Sequence, residues 1–370
     1  MHMNELDCGR SERAVFALRS LYRAHGYSQY KMSKFEEYDL YVRNKSFLIS
    51  DHVITFTDTM GRLLALKPDV TLSIVKNSRD TAGLQKVYYN ENVYRTASGS
   101  QDFREITQVG LECMGEIDGY CSAEVLSLAA RSLDVLSGDF VLELSHLDAV
   151  SHVLDALGAE GALRAELLRC VGEKNAHDIR ALCAAQGWDE HRVELLCALV
   201  AVSGTPTSVR EKLDALALAC PSVKAPLDEL YAAVEQLSGE GYGEQLRIDF
   251  SLINDMNYYN GIVFRGYIKG VPTRILSGGR YDGLMHKMGK RASAIGFAVY
   301  LDLLEGLDAP SAEYDVDTVV LYDATTPTAR VSAAVAACVR AGERALALRE
   351  TPTELRYRGL VDVRGDERNG

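Results

Sequence analysis

The residues best equipped for ligand chemistry cluster between Asp255 and Gly283. Asp255-Met256-Asn257-Tyr258-Tyr259-Asn260-Gly261 is polar and aromatic, the apolar run Ile262-Val263-Phe264 follows, and Leu276-Ser277-Gly278-Gly279-Arg280-Tyr281-Asp282-Gly283 closes the stretch. Paired tyrosines supply flat apolar walls tipped with hydroxyls. Adjacent glycines admit positive φ and let a ligand approach the backbone closely. Tyr258, Tyr259, Gly279 and Tyr281 would thus wall a pocket for a small planar ligand, on a turn, two strands and a Gly-Gly turn entering a helix. The same residues also suit an aromatic hairpin that packs a core, and composition leaves both readings open. Two further pairs carry polar chemistry. Asp69 and Thr71 follow Pro68 at a predicted helix start, where orphan amides favour an acid or a hydroxyl, so plain capping is one reading and ligand contact another. Gln108 and Glu112 share one face of a predicted strand by period-two spacing, while Val109 and Leu111 fill its apolar side.

These side chains need a sheet to bring them together. Ser11 to His25 reads as an amphipathic helix with Ser11 as N-cap, Ala14, Val15, Leu18, Leu21 and Tyr22 on one stripe, and Gly26 as terminator. Tyr27 to Ser33 is strand-like, and His52 to Phe56 with Leu63 to Leu66 forms a hairpin around Asp58-Thr59-Met60-Gly61. Gln85 to Arg95 and Glu105 to Met114 read as strands joined by the polar loop Thr96 to Arg104. Ala123 to Leu136 is helical and Phe140 to Leu144 extended. From about His152 to Gly239 the pattern is helical alone, before strands resume at Leu246 to Phe250. The expected class is α+β: a sheet domain over residues 1–150 and 240–312, a helical insertion over 151–239, and a short α/β segment over 313–370. That last segment begins with a strand at Thr318 to Tyr322, a helix at Ala329 to Arg340 and a strand at Ala345 to Leu348. In the insertion, Lys174 and Asn175 are assigned to the surface and Trp188 to the core.

A chain of 370 residues with 47% hydrophobic residues can bury a large core. A net charge of −12 and a pI near 5.2 weigh against unassisted binding to nucleic acid, which rests on Lys and Arg neutralising phosphates. No apolar run approaches the roughly 20 residues that span a bilayer, and the N-terminus lacks the pattern of a signal peptide, so no membrane association and a cytoplasmic location are expected. The eight cysteines are scattered without a C-x-x-C pair. They read as small buried hydrophobes in a reducing compartment; no metal and no cofactor is expected.

Asn257-Tyr258-Tyr259-Asn260-Gly261-Ile262-Val263-Phe264, followed by Gly278-Gly279-Arg280-Tyr281-Asp282-Gly283, resembles the histidine-binding segment and the Gly-Gly-Arg-Tyr-Asp-Gly turn of histidyl-tRNA synthetases and their paralogues. An ordered pair of long motifs is far more specific than a lone glycine pattern. Tyr22-Arg23-Ala24-His25-Gly26-Tyr27 is similar to the first class II synthetase motif, which implies a dimer interface, although Ser33 stands at the family's proline. Leu66-Lys67-Pro68-Asp69-Val70-Thr71 resembles Leu-Arg-Pro-Glu-Gly-Thr, whose acid and threonine hold the α-amino group of histidine; Asp69 is one methylene shorter. Arg95 matches the strand-end arginine of the second motif, which grips the ATP α-phosphate, but Thr96-Ala97-Ser98-Gly99-Ser100 replaces an acid, an arginine and a proline. Gln108 and Glu112 match two residues of the amino-acid pocket. Ala294 to Leu304 is similar to the third motif, with Asp302 at its acid and Leu303 where an arginine binds the γ-phosphate. Asn254 stands at one further synthetase arginine.

Adenylate formation needs cations aimed at the triphosphate, and loss of one such group typically costs about 2.7–4 kcal/mol. An amino-acid pocket without those cations resembles the regulatory-subunit family of short-form ATP phosphoribosyltransferase, over roughly residues 10 to 305. That resemblance implies an antiparallel six- or seven-stranded sheet flanked by helices and a homodimer. It also implies a separate catalytic subunit as partner, L-histidine as effector, and no chemistry in this chain. The other readings are a histidyl-tRNA synthetase or divergent histidine-binding paralogue, and a scaffold with an empty pocket.

Overall fold

The computed structural model describes residues 9–48, 53–80, 83–96, 102–253, 256, 258–307 and 314–365. The chain divides into two compact units, Met1–Gly306 and Leu307–Gly370. In the first, helix α1 (Arg10–Ala24) leads into strand β1 (Ser28–Gln29). A small three-stranded sheet follows, made by β2 (Phe35–Glu37), β3 (Thr55–Thr57) and β4 (Leu63–Leu66), with helix α2 (Tyr38–Arg43) between its first two strands. Helix α3 (Thr71–Asn77) precedes the long antiparallel pair β5 (Gln85–Thr96) and β6 (Phe103–Gly115). Helix α4 (Gly119–Leu136) and strand β7 (Phe140–His146) come next. The helical stretch comprises α5 (Leu147–Ala156), α6 (Gly161–Gly172), α7 (Ala176–Ala185), α8 (Glu190–Val200), α9 (Pro206–Ala219) and α10 (Lys224–Gly239), broken by strand β8 (Ser203–Gly204). Strands β9 (Leu246–Asp249), β10 (Asn260–Ile268), β11 (Leu276–Arg280) and β12 (Ser293–Tyr300), with helix α11 (Asp282–Lys287) before the last, complete the unit.

Among the described residues the main sheet has nine strands, in the order β1-β5-β6-β12-β11-β10-β7-β9-β8. It is mixed, not the six or seven antiparallel strands expected: β1 joins β5 and β9 joins β7 in parallel. Strands of two to four residues are too short to show a periodicity, so Tyr27 to Ser33 shrinks to Ser28–Gln29, and β8 interrupts a stretch expected to be helical alone. Helix α1 buries Ala14, Leu18 and Tyr22, one residue per helical turn, against α4 and the sheet. Tyr22 Oη lies 2.9 Å from Ser132 Oγ, which links the two helices, and Gly26 ends α1 at φ 81°. The N-cap is Gly9, whose amide donates to Glu12 Oε2 at 3.0 Å; Ser11 instead donates to the Leu301 carbonyl at 3.2 Å. One other expectation is corrected. Trp188 is half-buried, with the Arg192 guanidinium 5.7 Å from its ring, because a cation can cover one indole face at the surface. The segment after β12 is a 3₁₀ helix, Leu301–Leu307.

The second unit is a parallel sheet ordered β14 (Ala345–Leu348), β13 (Val316–Leu321), β15 (Tyr357–Asp362), with helix α12 (Thr328–Arg340) between β13 and β14 in sequence. Among the described residues its buried hydrophobic side chains are Val319, Val320, Leu321 and Val363. Among the described residues no helix is long and apolar enough to cross a membrane.

Candidate functional site

Strand register builds the site. On β6 the alternate residues Gln108, Gly110 and Glu112 face one way; on β12 Gly296, Ala298 and Tyr300 do; on β11 Ser277 and Gly279; on β5 Tyr89. Pairing sets these in rows. Tyr89 opposes Gly110, Gly110 opposes Ala298, and Ala298 opposes Ser277; in the next row Glu112 opposes Gly296 and Gly296 opposes Gly279. Each glycine is a place where a neighbour's side chain lies across the sheet. A Cβ on Gly110 would sit 2.4 Å from Tyr89 Oη, one on Gly296 1.8 Å from Glu112 Oε2, and one on Gly279 2.9 Å from the Tyr259 ring. Gly278 and Gly279 are therefore extended residues inside β11, not a positive-φ turn: what they provide is room above the strand.

Over this floor opens a recess whose non-atom space, open solvent at its mouth included, is about 560 Å³. It brings together Asp69, Thr71, Arg95, Gln108, Glu112, Tyr258, Tyr259 and Tyr281. Gly279 lies beneath the Tyr259 ring and is not in its lining. One end is acidic. Glu112 is fully buried; Oε1 accepts from Thr71 Oγ1 at 2.8 Å and Oε2 from Tyr281 Oη at 2.7 Å. Burial pushes its carboxyl up to about 8, against the lowering effect of those two hydroxyl donors. Asp69 is also raised by burial, opposed by the Arg95 charge and by the amides of Leu72 and Thr71. Its Oδ1 accepts from Leu72 N at 2.9 Å, so one carboxylate caps α3 and lines the recess.

The segment carrying Asp69 is held to β5 at three points. Lys67 Nζ pairs with Glu91 at 2.5 Å, Tyr94 N donates to the Lys67 carbonyl at 3.0 Å, and Arg95 Nε donates to the Pro68 carbonyl at 2.8 Å. The aromatic wall is a linked set. The rings of Tyr258 and Tyr259 lie 4.7 Å apart at 68°, Tyr281 lies 6.0 Å from Tyr258, and Phe47 backs Tyr258 at 6.2 Å. Burial holds the phenols of Tyr89, Tyr258 and Tyr281 well above the ordinary tyrosine range, so they act as neutral donors. Arg280 and Asp282 have structural roles: Arg280 Nε donates to Asp282 Oδ2 at 2.7 Å, and Asp282 Oδ1 accepts from Ala294 N at 3.0 Å.

Sequence reasoning missed Tyr89, Arg274, Ser277, Gly296, Phe297, Ala298 and Tyr300, which also line the recess. Tyr89 shares a strand face with Arg95, so period-two spacing could have found it. Arg274 precedes β11 in a turn and carries no local signal. Asn254, Asp255 and Asn257, and residues 97–101 of the loop after β5, lie outside the described residues. Leu303 is half-buried in the 3₁₀ helix. Among the described residues no three His, Cys, Asp or Glu side chains converge as a metal ligand set. The arrangement suits a small molecule with a planar ring and a cationic group.

The model of the histidyl-tRNA synthetase family matches residues 3–304. A regulatory subunit of ATP phosphoribosyltransferase from Alkaliphilus metalliredigens is 27% identical over 304 residues, 80% of this chain and 76% of the relative. Among solved structures, a protein from Bacillus halodurans described as an ATP phosphoribosyltransferase regulatory subunit/histidyl-tRNA synthetase has a TM-score of 0.78 at 22% identity, over 96% of this chain and 94% of that one. A chain of the ATP phosphoribosyl transferase complex from Thermotoga maritima has a TM-score of 0.63 at 20% identity, over 79% and 97%. The fold is that of class II aminoacyl-tRNA synthetases, an α+β sheet flanked by helices. The chain belongs to the histidyl-tRNA synthetase family.

Proposed function

We infer that this chain is the regulatory subunit of a short-form ATP phosphoribosyltransferase, serving the first step of histidine biosynthesis and its feedback control. Within its family the Alkaliphilus relative bears that name, and the site supports the same reading. One observation carries it: the acid-and-tyrosine residues line one recess; beside it, the resemblance to the third synthetase motif puts Leu303 where that motif has its γ-phosphate arginine. In this reading the recess holds free L-histidine, its ammonium between Asp69 and Glu112 and its ring against Tyr258, Tyr259 and Tyr281. Catalysis resides in a separate subunit, and two copies of this chain pair through α1 and the segment after it. Arg95 and Gln108 add to the polar lining.

The test mixes purified chain with a short-form catalytic subunit and follows phosphoribosyl transfer with and without histidine. The expected result is activation by the chain and inhibition by histidine. No change in rate on adding the chain would overturn the reading. Histidine-dependent exchange of pyrophosphate into ATP by the chain alone would favour a working synthetase.

A further inference from the structure

The recess contains two cations, and they are not equivalent. Arg95 is committed: its Nε donates to the Pro68 carbonyl, and its charge acts on the buried Asp69 carboxylate. Arg274 lines the same recess, half-exposed, with no hydrogen bond or salt bridge among the described residues. Among the described residues the Tyr267 phenol feels its charge; burial keeps that phenol neutral, so it is no counter-ion. The backbone beside Arg274 is nevertheless pinned. Ile275 N donates to the Gly266 carbonyl at 2.9 Å, and the Ile275 carbonyl accepts from Tyr300 N at 2.8 Å. On the same wall Ser277 Oγ and Tyr300 Oη lie 2.8 Å apart, a hydroxyl pair that can donate to an anion. A guanidinium carried on pinned backbone, with no carboxylate hydrogen-bonded to it among the described residues, is open to an anionic group of the ligand.

We propose that Arg274 binds the carboxylate of the ligand, so that the recess selects a zwitterionic α-amino acid over the corresponding amine. The proposal rests on the histidine reading above. It adds the binding residue that discriminates by the acid group and assigns it to the β10–β11 turn instead of the Asp69 or Tyr258 segments. A guanidinium is suited to this task because it holds its charge at any working pH and presents paired N–H donors to two oxygens.

Titration calorimetry of the full chain with L-histidine and with histamine, which keeps the ring and the ammonium but lacks the carboxylate, tests it. Wild type should bind histidine about ten- to a hundredfold more tightly than histamine, the range of one charged hydrogen-bonding contact. Arg274→Ala and Arg274→Gln should lose that preference by weakening histidine alone, and unchanged histamine affinity doubles as the check that the variants are folded. An intact preference in both variants overturns the proposal, as does an equal loss for both ligands, which would make Arg274 a structural residue. If wild type binds histamine as tightly as histidine, the Arg274 role fails and the acidic pocket stands. If wild type binds neither ligand, the histidine reading itself fails.

Discussion

Glu112 and Asp69 are buried carboxyls of the recess, and both are raised by burial. A charged hydrogen bond to an ammonium contributes about 1.5–3 kcal/mol, so Asp69→Asn should weaken histidine binding tenfold or more by calorimetry. Unchanged affinity would place histidine elsewhere. Glu112 yields a pH prediction. Its carboxyl ionises near 8 in the folded protein against an ordinary 4.5, so between these values the native state holds a proton that the unfolded chain has released. Stability from this group is complete below the lower value and is lost as pH rises through the upper one. Melting temperature in wild type should therefore fall more between about pH 5 and 8 than in Glu112→Gln. Parallel pH profiles would show that Glu112 is ionised throughout. The same proton must leave when an ammonium arrives, so histidine binding at neutral pH should release protons, visible as a buffer-dependent heat.

At the scale of elements, the glycines of β11 and β12 serve two faces of one sheet. A Cβ on Gly278 would lie 2.4 Å from Phe297 Cβ and 2.5 Å from the Gly296 carbonyl, while one on Gly296 would meet Glu112 at 1.8 Å and the Leu111 carbonyl at 2.4 Å. Backbone oxygens cannot give way cheaply, and overpacking of this kind costs about 1–3 kcal/mol. Gly278→Ala and Gly296→Ala should both lower the melting temperature by several degrees. Only Gly296→Ala should also abolish histidine binding, because its methyl displaces the Glu112 carboxylate. A Gly278→Ala protein as stable as wild type would argue against close packing on that face. Normal binding by Gly296→Ala would remove Glu112 from the site.

For the whole molecule, a sensing subunit can act on its partner only through differential affinity of its ligand for two states of the complex. A coupling of about 1–3 kcal/mol corresponds to a 5- to 150-fold effect, and linkage makes it reciprocal. Histidine affinity of the assembled complex should then differ with and without phosphoribosyl pyrophosphate by the same factor that histidine imposes on phosphoribosyl pyrophosphate binding. Equal histidine affinities under both conditions would separate this recess from regulation. Tyr259→Ala supplies the matching control: its ring fills the space above Gly279, so the variant should lose histidine inhibition while still assembling with the catalytic subunit.

Much of the site was legible because its residues stand in contiguous segments where type and spacing carry the information. Tyr258 and Tyr259 adjoin, Asp69 and Thr71 flank a helix start, and Gln108 and Glu112 obey the two-residue period of one strand. The helices with regular apolar stripes, such as α1 and α4, were legible for the same reason. Register between distant strands was not. That Ala298 opposes Gly110, and Ser277 opposes Ala298, is settled by pairing between segments far apart in the chain, and no local pattern encodes it. Ser277 and Tyr300 enter the recess through that pairing. The extended conformation of Gly278 and Gly279 likewise follows from the side chains that crowd them, since glycine's own preferences allow a turn equally well. The raised carboxyl of Glu112 is the most tertiary property of all: Thr71 and Tyr281 reach it from 41 and 169 residues away in the chain, on either side, and exclusion of water by the surrounding sheet, absent from any single segment, sets its charge.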